Sequence, residues 1–260
     1  MGLSPVPWRR MTIAEFARTR AQRQARAPWR PRVALATCAD SPGLIEDDEI
    51  LARAFEYLDV PCEPAVWSDP HVAWASYDAV VVRSCGQSRA DQREFLRWTD
   101  RLESLRVPVF NPPRLIRWNI NKQYLFDLEK RGIPIAPPEA VESGRPAGAA
   151  ELSLVFVDGT FTHGVANPHA PGRLHVDLRH TGCVQPCVIP WALVSATTYV
   201  IGTLADRPLF ARIDGFMRCN DFIMTELDVI DPELFLRFNA AAALTLVRAL
   251  RERIVQAKRG

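Results

Sequence analysis

Apolar residues in the first 112 positions fall into short runs separated by stretches with helical spacing. Residues 32–38 and 77–84 are almost continuously apolar, which is typical of strands buried on both faces of a parallel sheet. Shorter strands and intervening helices complete the pattern, at 47–58, 62–67, 90–105 and 107–112. The alternation of strand and helix predicts a parallel, Rossmann-like sheet.

The second half of the chain has a pattern that is typical of an antiparallel sheet. Asp158-Gly159 separates two strand-like segments and is a strong signal for a two-residue hairpin turn. Two further strands are predicted within 209–228. Residues 115–132 read as one helical segment that ends near Gly132.

These patterns divide the chain into a basic arm at 1–31, an α/β domain at 32–112 and a mixed α+β domain at 113–260. The N-terminal arm is partly ordered or forms an amphipathic helix. The other expected elements are a linker at 142–150, a loop-like stretch at 166–190, a helix or strand at 191–202 and a closing helix over 232–258.

Composition narrows the class of protein. The chain has 260 residues, 48% hydrophobic residues and a formal net charge of only +2. No face combines basic and aromatic residues, so we expect no nucleic-acid partner. Without a run of eighteen apolar residues or an apolar leader, we expect a cytoplasmic protein with no membrane partner. The six cysteines are then free thiols or ligands rather than a disulfide framework.

Charged residues in the two strands within 209–228 form the clearest candidate site. Arg212 and Asp214 lie two positions apart, and so do Glu226 and Asp228. Side chains two apart on a strand share a face, so antiparallel pairing would bring the four together. Three carboxylates beside an arginine are suited to a cation and a phosphate.

The ends of the two long apolar strands form a second candidate site. Ligands of parallel sheets bind beyond the carboxyl ends of the strands. Cys38 ends one strand, and Arg83, Ser84 and Ser88 follow the other, so these residues are candidate substrate contacts. Cys85 and Cys38 could supply a nucleophile, but buried packing is the favoured interpretation because free cysteine is among the most buried residues.

A segment rich in histidine and cysteine suggests an alternative metal site. His180, Cys183 and Cys187 lie within eight residues, and these side chains can bind zinc. Their spacing is not a common zinc pattern, so a surface loop with unpaired thiols is favoured.

The order of these elements resembles that of the ATP-grasp ligases, over about 32–141 and 150–255. The resemblance is closest to the branch with the O-ureidoserine cyclase of cycloserine biosynthesis and the D-alanine–D-alanine ligase-like enzymes. Their Arg-x-Asp and Glu-x-Asn or Glu-x-Glu motifs fall on Arg212, Asp214, Glu226 and Asp228. The resemblance implies ATP and Mg²⁺ as cofactors, with the carboxylates on metal, Arg212 on the reacting phosphate and Lys122 on ATP phosphates.

One departure from the family leaves the function open. At 142–150 the chain has nine residues where relatives carry a much longer segment with a second ATP-binding lysine. We therefore expect a truncated ATP-grasp domain that joins a small amino-acid-like carboxylate to an amine, or cyclises it, through an acyl phosphate. The alternative is a degenerate scaffold that no longer binds ATP. It would catalyse a different reaction, with or without a metal, or act as a non-catalytic partner. A homodimer or a partner biosynthetic enzyme would complete the site.

Overall fold

A parallel sheet of four strands forms the first half of the fold. The computed structural model describes residues 30–86, 91–136, 150–167, 184–219 and 221–258. The strand order is β2-β1-β3-β4, and all pairings are parallel. The elements are β1 (Val33–Thr37), α1 (Glu46–Tyr57), β2 (Cys62–Val66), a 3₁₀ turn (Trp74–Ser76), β3 (Ala79–Ser84), α2 (Gln92–Ser104) and β4 (Val109–Phe110).

The central strands of this sheet are buried on both faces, as their apolar runs predict. All five residues of β1 are buried, and so are the first five of β3. Alternate side chains enter two different cores: Leu35 and Val81 face one core, while Ala36 and Val82 face the other. The predicted parallel sheet is therefore confirmed, with its strands and helices near the predicted bounds.

An antiparallel sheet of five strands forms the second half, in the order β7-β6-β5-β8-β9. Asp158 and Gly159 have φ values of +51° and +77°, which is the geometry of the two-residue hairpin predicted for them. The elements are α3 (Pro113–Asn119), α4 (Gln123–Glu129), β5 (Glu151–Val157), β6 (Thr160–Asn167), β7 (Gln185–Cys187), α5 (Trp191–Gly202), β8 (Phe210–Arg218), β9 (Asp221–Asp228) and α6 (Ala240–Ala257).

The helical segment predicted over 115–132 is two helices rather than one. It breaks after Asn119, whose buried side chain donates to the carbonyl of Leu227 at 2.8 Å and accepts from the amide of Val229 at 3.2 Å. Tyr124 accepts from the amide of Leu227 at 3.1 Å. The break lets both side chains reach β9, which a straight helix at this place would not.

The sequence predicted a closing helix that begins at 232. In the structure this helix begins at Ala240. Phe235 has φ of +51°, which a right-handed helix excludes. The amides of Leu234 and Leu236 donate to the carboxylate of Asp47 instead of to carbonyls one turn earlier. Residues 232–239 therefore belong to a connection that packs on α1.

Three apolar cores hold the described body from Pro31 onward together, and it behaves as one compact unit. No helix among the described residues is long and apolar enough to cross a membrane. The N-terminal arm up to 29 and most of the 142–150 linker lie outside the described residues.

Candidate functional site

Four charged side chains meet on one face of the antiparallel sheet. In the register of β8 and β9, Arg212 lies opposite Asp228 and Asp214 lies opposite Glu226. Directly opposed residues of an antiparallel pair point to the same face. The face expected from the sequence is therefore present, and on the reverse face Ile213 and Leu227 enter an apolar core.

The four side chains are removed from solvent to a degree that is unusual for charged groups. Asp214, Glu226 and Asp228 are 5%, 9% and 4% exposed. The guanidinium of Arg212 donates through Nε to both oxygens of Asp214 at 3.0 Å, and its Nη1 donates to the carbonyl of Glu233 at 3.3 Å.

All three carboxylates act on the pKa of Arg212. Burial alone would lower the pKa of Arg212, but the charges of Asp214, Asp228 and Glu226 outweigh it and raise that pKa above its usual value. The guanidinium and the three carboxylates therefore form one cluster of charged groups on this face of the sheet.

Oxygen ligands from three carboxylates suit a hard cation such as Mg²⁺, so the chemistry of the donors fits the expected metal. Their present arrangement is not that of a closed metal site. Within the described residues, no three His, Cys, Asp or Glu side chains converge closely enough to hold a metal ion. Asp214 instead has both oxygens on Arg212.

Buried amide side chains hold the two site strands in place. Asn111 donates to the carbonyls of Phe210, at 2.8 Å, and Val229, at 2.7 Å, at the ends of β8 and β9. Asn119 bonds β9 on both sides of Asp228. Neither residue was predicted from the sequence. For Asn119 the one signal was a poor helix former inside a segment that otherwise reads as helical, and Asn111, in the strand predicted at 107–112, had no such signal.

Lys122, the predicted phosphate ligand, lies in the break between α3 and α4 and is exposed. It lies between Asn119 and Tyr124, which both bond to β9. Burial raises the pKa of Tyr124, and the charge of Glu226 adds to the shift. Lys122 therefore belongs to the short segment whose two neighbours, Asn119 and Tyr124, hold β9 and its carboxylates in place.

The candidate substrate residues at the ends of β1 and β3 are largely engaged with other groups. Arg83 is 2% exposed and donates through Nε to Asp48 at 2.7 Å. Ser84 also donates to Asp48. Cys38 is buried, and Cys85 donates through Sγ to the Ala36 carbonyl at 3.3 Å. Burial raises the pKa of Cys85 well above its usual value, which supports packing over a nucleophilic role. Ser88 lies outside the described residues.

The alternative zinc residues are only partly visible. His180 and Cys183 lie outside the described residues. Cys187 lies in β7 opposite Gly164, and burial raises the pKa of its thiol. A neutral thiol is a poorer zinc ligand than a thiolate.

Taken together, the two sheets and their order define the fold of the ATP-grasp ligases. The crystal structure of D-cycloserine synthetase DcsG matches with a TM-score of 0.72 at 21% identity, over 86% of this chain and 99% of that one. The macrocyclase MdnB from Microcystis aeruginosa MRC matches with a TM-score of 0.57 at 14% identity, over 84% and 98%. ATP-grasp ligase PsnB, complexed with minimal precursor, Mg and ADP, matches with a TM-score of 0.54 at 12% identity, over 86% and 97%.

Sequence similarity points to one of these relatives. Residues 33–111 match the family described as the N-terminal domain of D-cycloserine synthetase DcsG. The cycloserine biosynthesis protein DcsG of Streptomyces lavendulae is 34% identical over 118 residues, which are 45% of this chain and 39% of that protein. This sequence match therefore spans well under half of the curated relative. The resemblance to ATP-grasp ligases expected from the order of elements is confirmed.

Proposed function

We propose that this chain is an ATP-dependent ligase-type enzyme of specialised metabolism. It activates a carboxylate as an acyl phosphate for attack by an amine, in the same molecule or a second one. The observation that carries the proposal is the buried face of Arg212, Asp214, Glu226 and Asp228 on an ATP-grasp fold.

The charges on this face suit a magnesium nucleotide. Asp214, Glu226 and Asp228 would hold Mg²⁺, which supplies charge neutralisation on the ATP phosphates. Arg212 is fixed on two sides, by Asp214 and by the Glu233 carbonyl, and a fixed guanidinium stabilises charge that develops on a transferring phosphoryl group. Lys122 is exposed and would reach the phosphates as a mobile point charge.

The proposed reaction has two steps. A substrate carboxylate oxygen attacks the γ-phosphorus, the bond between the γ-phosphorus and the bridging oxygen breaks, and ADP leaves. An amine then attacks the acyl carbon, inorganic phosphate leaves, and the amine loses a proton. The work of the chain in both steps is positioning and electrostatic stabilisation.

A small amino-acid-derived carboxylate is the proposed substrate class. The relative at 34% identity is a cycloserine biosynthesis protein, whereas the ligase solved with a precursor is only 12% identical. Ser84, the last residue of β3, is the proposed substrate contact of the described residues, and Ser88 and the buried Cys38 stay candidates from the sequence. Arg83 would act indirectly, because it holds Asp48, which also accepts a hydrogen bond from Ser84.

The length of the chain favours a second candidate, a degenerate scaffold that no longer clamps ATP. Only thirteen residues, 137–149, separate Ala136 from Ala150. This is far shorter than the segment with a second ATP-binding lysine that the resemblance implies at this place. If the nucleotide is clamped, a homodimer partner or another biosynthetic enzyme would supply the opposite wall.

Calorimetric titration with Mg·ADP and Mg·ATP tests the two candidates. The ligase predicts binding that disappears when Mg²⁺ is chelated and is lost in Glu226→Gln, which keeps the shape of the side chain but removes its charge. Glu252→Gln, at an exposed position of α6, is the control and should bind as the wild type does. Absence of binding at millimolar nucleotide would favour the degenerate scaffold.

A further inference from the structure

The carboxylate of Asp47, in the first domain, hydrogen-bonds the backbone of the connection that follows β9, residues 232–239. Asp47 is 3% exposed and lies in the first turn of α1. Its two oxygens accept from the amides of Leu234, at 2.8 Å, and Leu236, at 2.6 Å. A carboxylate that accepts from two amides two residues apart fixes both the position and the direction of that backbone.

The same connection also contacts Arg212. The carbonyl of Glu233 accepts from Nη1 of Arg212 at 3.3 Å, and the ring of Phe235 lies 5.9 Å from its guanidinium carbon. Phe235 has φ of +51°, which costs free energy for a residue with a bulky side chain and persists only where neighbours impose it. The bonds from Asp47 flank this residue on both sides.

His163 adds a third contact to the connection. It lies in the same row across the sheet as Arg212, because both are paired with Val155 of β5. Its Nε2 lies 3.0 Å from the carbonyl of Leu234. The connection is thus bonded to His163 and Arg212 of the antiparallel sheet and to Asp47 of α1.

We infer that Asp47 is a positioning residue for Arg212, acting through the 233–236 connection. The inference rests on the proposed function only for its consequence, which is that a displaced Arg212 would weaken the binding of Mg·ATP. The geometry by itself links Asp47 of α1 with Arg212 of β8 through the backbone of the connection.

The ion pairs with Arg83 account for the position of Asp48 but not for that of Asp47. Asp48 is fully buried and takes the 2.7 Å bond from Nε of Arg83. Asp47 lies 3.4 Å from Nη2 of the same arginine, farther than from either amide of the connection. The stronger bonds of Asp47 therefore go to the connection, and those of Asp48 go to β3.

Asp47→Asn and Asp48→Asn form a matched pair for the test. Each removes one buried negative charge beside Arg83, but only Asp47→Asn removes an acceptor from the connection. The readout is the Nε–Hε resonance of Arg212 in ¹⁵N-labelled protein, identified by its absence in Arg212→Lys. This proton is bonded to Asp214, which protects it from exchange with water.

Asp47→Asn should shift or broaden the Arg212 resonance and speed hydrogen exchange at the amides of Leu234 and Leu236 about tenfold, the loss expected for one hydrogen bond. Asp48→Asn should leave both unchanged. If Asp47→Asn does not fold, Asp47→Glu keeps the charge, pushes the carboxylate outward by one methylene and should move the same resonance. An unmoved resonance, or an equal change in Asp48→Asn, would overturn the inference.

A nucleotide titration separates this inference from the proposed function. Mg·ATP should bind Asp47→Asn about tenfold more weakly than the wild type. A wild type that binds no nucleotide would refute the proposed ligase and leave the Arg212 resonance to decide on Asp47.

Discussion

Arg212→Met tests the buried ion pair between Arg212 and Asp214 in the candidate site. Methionine keeps an unbranched apolar stem beside Phe235 but leaves Asp214, Glu226 and Asp228 as three buried carboxylates without the guanidinium. Arg212 and Asp214 are 11% and 7% exposed at their side chains, so solvent screens their interaction little. Removing one partner of a buried ion pair costs about 3–5 kcal/mol of the free energy of unfolding.

The loss should depend on magnesium. Mg²⁺ binds the folded state in preference and should restore part of the loss at pH 7.

Urea unfolding at pH 7, with and without millimolar Mg²⁺, measures both the loss and its recovery. Arg207→Met is the control, because Arg207 is 65% exposed and Arg253 also pairs with its partner, Asp158. This control should cost at most about 1 kcal/mol and show no response to Mg²⁺. A loss in Arg212→Met no larger than the control's would refute the buried ion pair between Arg212 and Asp214.

Two further predictions concern the supports of the site. Asn119→Ala leaves the carbonyl of Leu227 and the amide of Val229 buried and unpaired, so urea unfolding should show a loss of about 2–4 kcal/mol, whereas Asn121→Ala at an exposed position should cost under about 1 kcal/mol. Burial lowers the pKa of His163 below its usual 6.5, so the wild type should lose thermal stability as pH falls through 6.5. His163→Gln should lack that slope, and an unchanged slope would contradict the assignment.

Local sequence signals predicted the elements whose patterns are self-contained. The continuous apolar runs of β1 and β3 are sufficient to predict buried parallel strands, since few other structures bury both faces of a short segment. Asp158-Gly159 predicts its turn because both residues tolerate positive φ. The period of two places Arg212 and Asp214 on one face without knowledge of any partner strand.

Long-range contacts decided the features that sequence reasoning missed. The Asp47 carboxylate lies in a first helical turn rich in acids, which by itself indicates only a favourable interaction with the helix dipole. Its real partners, Leu234 and Leu236, are 187 and 189 residues away. The same contacts replace helical hydrogen bonds and delay the start of α6 to Ala240. No local pattern contains that information.

The most direct test of the central claim is a crystal structure grown with ADP and Mn²⁺, using the anomalous signal of manganese to locate the metal. The account predicts a manganese peak against Asp214, Glu226 and Asp228, in contact with the ADP phosphates, with Arg212 facing them. Manganese is suitable because it accepts the same oxygen ligands as Mg²⁺. A structure with ADP bound elsewhere, or with no metal on these three carboxylates, would contradict the account.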